Sequence, residues 1–215
     1  MVDPRRTLKT SILVFASCAV TFANAQETAP FPEAAPDAPP AEAAPPRETS
    51  REIARDAQVL LDRLATLTAE DEAGEARRLA AEIQERWTHS GSATIDLLLR
   101  RGREAVTEGE YERAIAHLTA LTDHAPQFAE GWNQRATAFF LSDRYGEALS
   151  DIEQVLILEP RHFGALSGLA VILEQLGRPD AALRAFEAAH DIYPGGENIT
   201  DAIQRLEQQT GERTL

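Results

Sequence analysis

Residues 131–160 read GWNQRATAFFLSDRYGEALSDIEQVLILEP, and this stretch decides the fold. Its apolar residues recur at helical spacing on either side of a polar break at Ser142-Asp143-Arg144, which describes two helices joined by a tight turn. Pro160 closes the unit, because the residue before a proline is pushed out of the helical region. Reading outward, the same markers return every 34 residues. Gly109, Asp143 and Gly177 mark the turn, Ala114, Ala148 and Ala182 the second helix, and Pro126, Pro160 and Pro194 the close. A fixed period of that length means stacked copies of one helical hairpin, each burying its apolar face against the next.

The pattern can be traced unit by unit as an early large residue, a small residue one turn on, a small residue in the second helix and a final proline. The first unit carries Leu98, Gly102, Ala114 and Pro126, the second Trp132, Ala136, Ala148 and Pro160, and the third Leu166, Ala170, Ala182 and Pro194. Tyr111 and Tyr145 follow the turn in the first two units, and Pro179 stands there in the third, where a helix start tolerates it. On these residues, 95–194 resembles three tetratricopeptide repeats. The resemblance implies an all-α chain, a right-handed α-solenoid of antiparallel helix pairs. The small residues then stand where two helices approach closely, so enlarging one is expected to overpack the contact.

The flanks are read from local pattern. Ile53, Ala57, Leu60, Leu61 and Leu64 form one helical stripe, and Ala76, Leu79, Ala80, Ile83 and Trp87 another, across a polar turn at Glu70-Asp71-Glu72 and Gly74. Residues 51–94 are therefore expected to form a degenerate helical hairpin. Ala80 lies 34 residues before Ala114, which places this hairpin at the front of the stack. After Gly195-Gly196, the spacing of Ile199, Ala202, Ile203 and Leu206 predicts a capping helix within 195–215, with a frayed tail from Thr210.

The N-terminus carries a different kind of information. Arg5, Arg6 and Lys9 precede an apolar run from Ile12 to Phe22 ending in Ala23-Asn24-Ala25, the pattern of a secretory signal peptide over 1–25 cut before Gln26. That run is shorter than the ~20 residues a spanning helix needs, so no integral membrane span is expected. Phe15-Ala16-Ser17-Cys18 is a distant match to a bacterial lipobox, and lipid anchoring at Cys18 is the alternative to a soluble periplasmic product. Residues 26–50, rich in Pro, Ala and Glu, lack the apolar surface to fold and read as a disordered, semi-extended linker.

Removal of the signal takes away the only cysteine, the only lysine, Arg5, Arg6 and Asp3, so the formal charge moves from −14 to −16. Such a field repels nucleic acid and anionic lipid, and without cysteine there is neither thiol chemistry nor a thiolate metal site. No catalytic constellation is legible. Ser90-Gly91-Ser92 and Ser167-Gly168 lack the setting of a nucleophile elbow, and His117 and His124 have no third ligand spaced between them. No cofactor and no metal are expected.

In tetratricopeptide proteins the first helix of each unit lines a concave face that holds peptides. The resemblance assigns to that groove Leu99, Arg103, Val106, Asn133, Thr137, Phe140, Leu141, Ser167, Val171 and Glu174, with Phe140 and Leu141 as anchors. A cationic clamp for a partner's C-terminal carboxylate is disfavoured. Arg103 stands alone, while Leu99 and Ser167 occupy places where further donors would be wanted. The expected function is a non-enzymatic protein-interaction adaptor of the bacterial cell envelope, binding an unidentified protein or peptide. The alternatives are a lipid-anchored outer-membrane assembly component and, third, an enzyme or its regulatory subunit. Self-association through edges and end helices is compatible with such a stack.

Overall fold

The 34-residue markers turn out to be backbone requirements. Gly109, Asp143 and Gly177 all have left-handed φ, at 75°, 60° and 68°. At each, two bonds close the preceding helix. Gly109 N–H donates to Val106 and Glu110 N–H to Ala105 in the first unit, with Asp143 and Arg144, then Gly177 and Arg178, repeating the pair. This is a Schellman ending, which satisfies carbonyls the helix leaves open and needs a residue that accepts positive φ. Ala125, Glu159 and Tyr193 sit before the three prolines with φ near −130° and ψ between 64° and 88°, outside the helical region, so each second helix stops there.

The computed structural model describes residues 50–68 and 72–211. Among them it is all-helical: α1 Ser50–Leu64, α2 Ala73–Trp87, α3 Ala93–Thr107, α4 Tyr111–His124, α5 Ala129–Leu141, α6 Tyr145–Leu158, α7 Phe163–Gln175, α8 Pro179–Ile192 and α9 Glu197–Gly211. Pro179 opens α8 at its first position. The signal peptide, Cys18, the linker up to residue 49, the loop residues Glu70 and Asp71, the Ile53 side chain and the last four residues lie outside the described residues. Thr210 and Gly211, expected in a frayed tail, still belong to α9.

Helices α3 to α8 pair as α3/α4, α5/α6 and α7/α8, each pair packing on the next through α4·α5 and α6·α7, with α9 closing on α8. First helices also touch one another, α3 with α5 and α5 with α7. That makes the first helices the inner side of the stack. The six small residues are all buried, as the close-approach reading requires. Gly102 shows why: a Cβ there would lie 2.6 Å from both Cγ and Cδ2 of Leu118 on α4. One polar network crosses this interior. Arg135 on α5 makes two 2.7 Å bonds to Asp151 on α6, donates to Thr122 on α4 at 2.9 Å, and stacks over Trp132. A fork of this kind fixes three helices in one register.

The N-terminal hairpin departs from expectation. It does not stack in front of α3 as a fourth unit, and α2 is not packed along α3 as α4 is along α5. Its core of Leu61, Leu64, Leu67, Ala76, Ala80 and Ile83 instead closes over Phe163, with Ile192 and Tyr193 alongside. Trp87 lies flat on His162, ring centroids 4.0 Å apart and planes 14° apart. The cause is local: no proline closes this unit, and Gly91, at φ 80°, turns the connection between α2 and α3. The stripe of α2 is satisfied by α1 and by His162, Phe163, Ile192 and Tyr193, around the start of α7 and the end of α8, rather than by a neighbouring repeat.

Candidate functional site

The ten residues assigned to the groove fall into three groups. Leu99 is fully in the α3/α4 core, Val106 packs against that core, and Phe140 turns into the α5/α6 core with its ring 5.8 Å from that of Tyr145. These three are mainly structural. Leu141 and Val171, 40 % and 37 % exposed, remain as apolar groups presented to solvent on adjacent first helices. Of the two residues picked as anchors, Leu141 is exposed and Phe140 is partly buried.

The polar members are held by local bonds. Asn133 donates to Glu130 at 3.0 Å, and the Thr137 and Ser167 hydroxyls donate to carbonyls one turn back in their own helices, at 3.1 and 2.9 Å. Glu174 takes a two-pronged contact from Arg205 of α9, at 2.6 and 3.0 Å, and that bond holds the guanidinium pKa above its ordinary value. Ser167, Val171 and Glu174 share one cavity of about 580 Å3, bounded by Arg77 and Gln84 of α2 and by Ile199 and Arg205 of α9. Arg103 and Asn133 meet in a second, about 370 Å3, facing Gln84, Trp87 and Thr88 of α2. Leu99 and Arg103 also border a third, about 640 Å3, along the α2 to α3 junction. Val106, Thr137, Phe140 and Leu141 border none of these.

Residues that sequence reasoning missed line the second of these cavities. His162 and Glu130 are 2 % and 7 % exposed. The Nδ1 of His162 accepts the Ala165 N–H at 3.0 Å, capping α7, so that nitrogen carries no proton. The neutral ring therefore holds its proton on Nε2 and donates it to Glu130, 3.2 Å away. Glu130 is further fixed by Asn133 and by Gln134 at 2.7 Å. Both edges of the imidazole are thus occupied within the solenoid, and only its face is left for Trp87. Nearby, burial pushes the Tyr193 phenol pKa up. Position after a proline could have pointed to a cap at His162, but nothing in the spacing joins it to Glu130, 32 residues earlier.

Electrostatics elsewhere on this face are modest. Arg161 pairs with Asp62 at 2.6 Å, Gln58 donates to Glu159 at 2.6 Å, and Arg77 pairs with Glu197 across the rim. The two ion pairs are solvent-exposed and stabilise little, while the Gln58 bond is partly buried. Among the described residues no three His, Cys, Asp or Glu side chains converge as a metal site would require, and no helix is long and apolar enough to cross a membrane. The arrangement is that of a surface for association: short, locally satisfied polar groups, two exposed aliphatic side chains and one aromatic platform.

Comparison with known proteins agrees with this geometry. The tetratricopeptide repeat model matches residues 99–154 and 134–197. A TPR repeat-containing protein of Rhizobium etli is 41 % identical over 156 residues, covering 72 % of this chain and 76 % of the relative. Among solved structures, the first tetratricopeptide domain of Spaghetti, bound to an HSP90 peptide, superposes with a TM-score of 0.53 at 22 % identity, over 56 % of this chain and 95 % of that one. The Yersinia enterocolitica type III secretion chaperone SycD, in complex with a peptide of the translocator YopD, gives 0.52 at 13 % identity, over 55 % and 96 %. Those two likenesses speak to fold, while the bacterial relative speaks to descent. The chain belongs to the tetratricopeptide repeat family.

Proposed function

We propose that the protein is a non-enzymatic interaction scaffold of the bacterial cell envelope that holds a segment of another protein against the inner face of α3, α5 and α7. The observation that carries this reading is the pair Leu141 and Val171, aliphatic side chains left 40 % and 37 % exposed on neighbouring first helices, with a cavity of about 580 Å3 beside Val171. Exposed apolar groups on a rigid concave support are where partner binding concentrates. Two proteins of the same fold hold peptides, of HSP90 and of a translocator, which supports the same mode here. The carboxylate clamp remains disfavoured, since Leu99, at a place where a further donor would be wanted, is buried.

The envelope assignment rests on the N-terminal pattern ending at Ala25, and its alternative, a lipid-anchored outer-membrane assembly component, differs at Cys18. Palmitate labelling separates the two. The function itself is tested by crosslinked affinity capture from the native envelope, comparing wild type with a Leu141→Glu, Val171→Glu variant whose circular dichroism is unchanged. A partner captured by the wild type and lost by the variant supports the reading. Equal capture by both moves binding off this face.

A further inference from the structure

We propose that the ligand of the inner face is an amphipathic α-helix of another protein, and that α2 is a resident stand-in which such a helix displaces. This rests on the reading of the inner face as the binding face and adds what it binds and how it is controlled. The resident defines the chemistry of the seat. Ala76, Ala80, Ile83 and Trp87, spaced four, three and four residues apart, fall on one side of α2. The stripe opens on a small residue, Ala76, packed so close to Gly195 that a Cβ on that glycine would lie 2.9 Å from its own. An aromatic is favoured at its end, where the face of His162 receives Trp87 at 4.0 Å. A helix with two small residues a turn apart, then a branched aliphatic, then an aromatic, meets the same surface.

Three features make the seat separable from its occupant. First, the three cores running through α3 to α9 contain no side chain of α1 or α2, and the solenoid lends the hairpin's own core Phe163, Ile192 and Tyr193, side chains at the start of α7 and the end of α8. Second, the platform is built from beneath. His162 has both nitrogens bonded to solenoid groups, Glu130 and the Ala165 N–H, so losing Trp87 strands no polar atom of that ring. Third, the hairpin is joined through Thr88–Ser92, with Gly91 at left-handed φ, and fastened at its rim by exposed pairs such as Arg161 with Asp62. A seat blocked by its own tethered occupant lowers apparent affinity by the fraction of time it stands open. An incoming helix must outcompete that tether, or a first contact with the hairpin must release it.

The test uses the full chain in a Cys18→Ser background and, as probe, a fluorescein-labelled synthetic peptide of residues 50–92 read by anisotropy. Trp87→Ala in the chain, leaving the probe intact, should raise probe affinity by at least about tenfold over the wild type. An Ala76→Cys, Gly195→Cys chain, whose Cβ atoms must part by only about 1 Å to reach disulfide geometry, should bind no probe when oxidised and recover when reduced. Amide exchange in α2 reports independently that Trp87→Ala has released the hairpin. Equal affinity for wild-type, Trp87→Ala and crosslinked chains would overturn the proposal. So would absence of binding to a Trp87→Ala chain whose α2 amides exchange freely. A Trp87→Ala dimer dissolved by the probe would make a second copy the occupant and would also overturn it. None of these results touches capture through Leu141 and Val171, so the scaffold reading stands or falls separately.

Discussion

Gly102→Ala sets two opposing effects against each other. In a helix interior alanine is favoured over glycine by about 0.8 to 1 kcal/mol, so on propensity alone the substitution stabilises α3. The new methyl, however, would sit 2.6 Å from both Cγ and Cδ2 of Leu118 and 3.1 Å from Cδ1. Cγ is the branch point of a side chain with no exposed surface, so it cannot swing aside, and α3 must move off α4. Overpacking of this kind costs about 1 to 3 kcal/mol, which leaves a net loss of about 1 kcal/mol and a melting point lower by about 2 to 4 °C. Gly146→Ala is the internal control. It is also helical, and a Cβ there meets nothing within 4 Å, so propensity acts unopposed and the melting point should hold or rise. Thermal melts of the two variants by circular dichroism decide the matter. A Gly102→Ala chain as stable as Gly146→Ala would refute the claim that small residues set the α3/α4 distance.

Further predictions concern the interior, the turns and the hairpin. Ala148→Leu, at a fully buried contact, should cost about 1 to 3 kcal/mol in the same melts. Asp151→Ala should cost about 3 kcal/mol by stranding Arg135, whereas Arg135→Met with Asp151→Leu should recover most of it, a non-additivity a double-mutant cycle reads directly. Gly177→Ala should cost about 1 kcal/mol through positive φ alone, since its Cβ meets no atom within 4 Å. Trp87→Ala should speed amide exchange in α1 and α2 far more than in α3 to α9, because the core it joins takes from those helices only side chains at the start of α7 and the end of α8, Phe163 and Ile192.

The repeats were legible because their markers are backbone necessities. A Schellman ending wants glycine or an aspartate tolerant of positive φ, a pre-proline residue cannot be helical, and a close helix contact wants Ala or Gly, so composition at single positions carries geometry. The hairpin was legible only as two helices. Periodicity reports that Ala76, Ala80, Ile83 and Trp87 share a face, and it is silent on what that face meets. The 34-residue step from Ala80 to Ala114 suggested a repeat, but Ala80 is buried in the hairpin's own core, closed over Phe163. The anchor pair divides for a similar reason. Phe140 and Leu141 are adjacent apolar residues at the end of one helix, and only the position of Tyr145 shows that the first turns inward. His162 and Glu130 are bonded across 32 residues, a distance no local pattern spans.

The inner face, and not the outer, is the one proposed to meet the partner. The most direct measurement is photocrosslinking in the native cell with a photoreactive residue at position 171, on α7, or at position 157, exposed on the second helix α6. A discrete adduct is expected from position 171 and none from position 157. An adduct from 157 alone would contradict it.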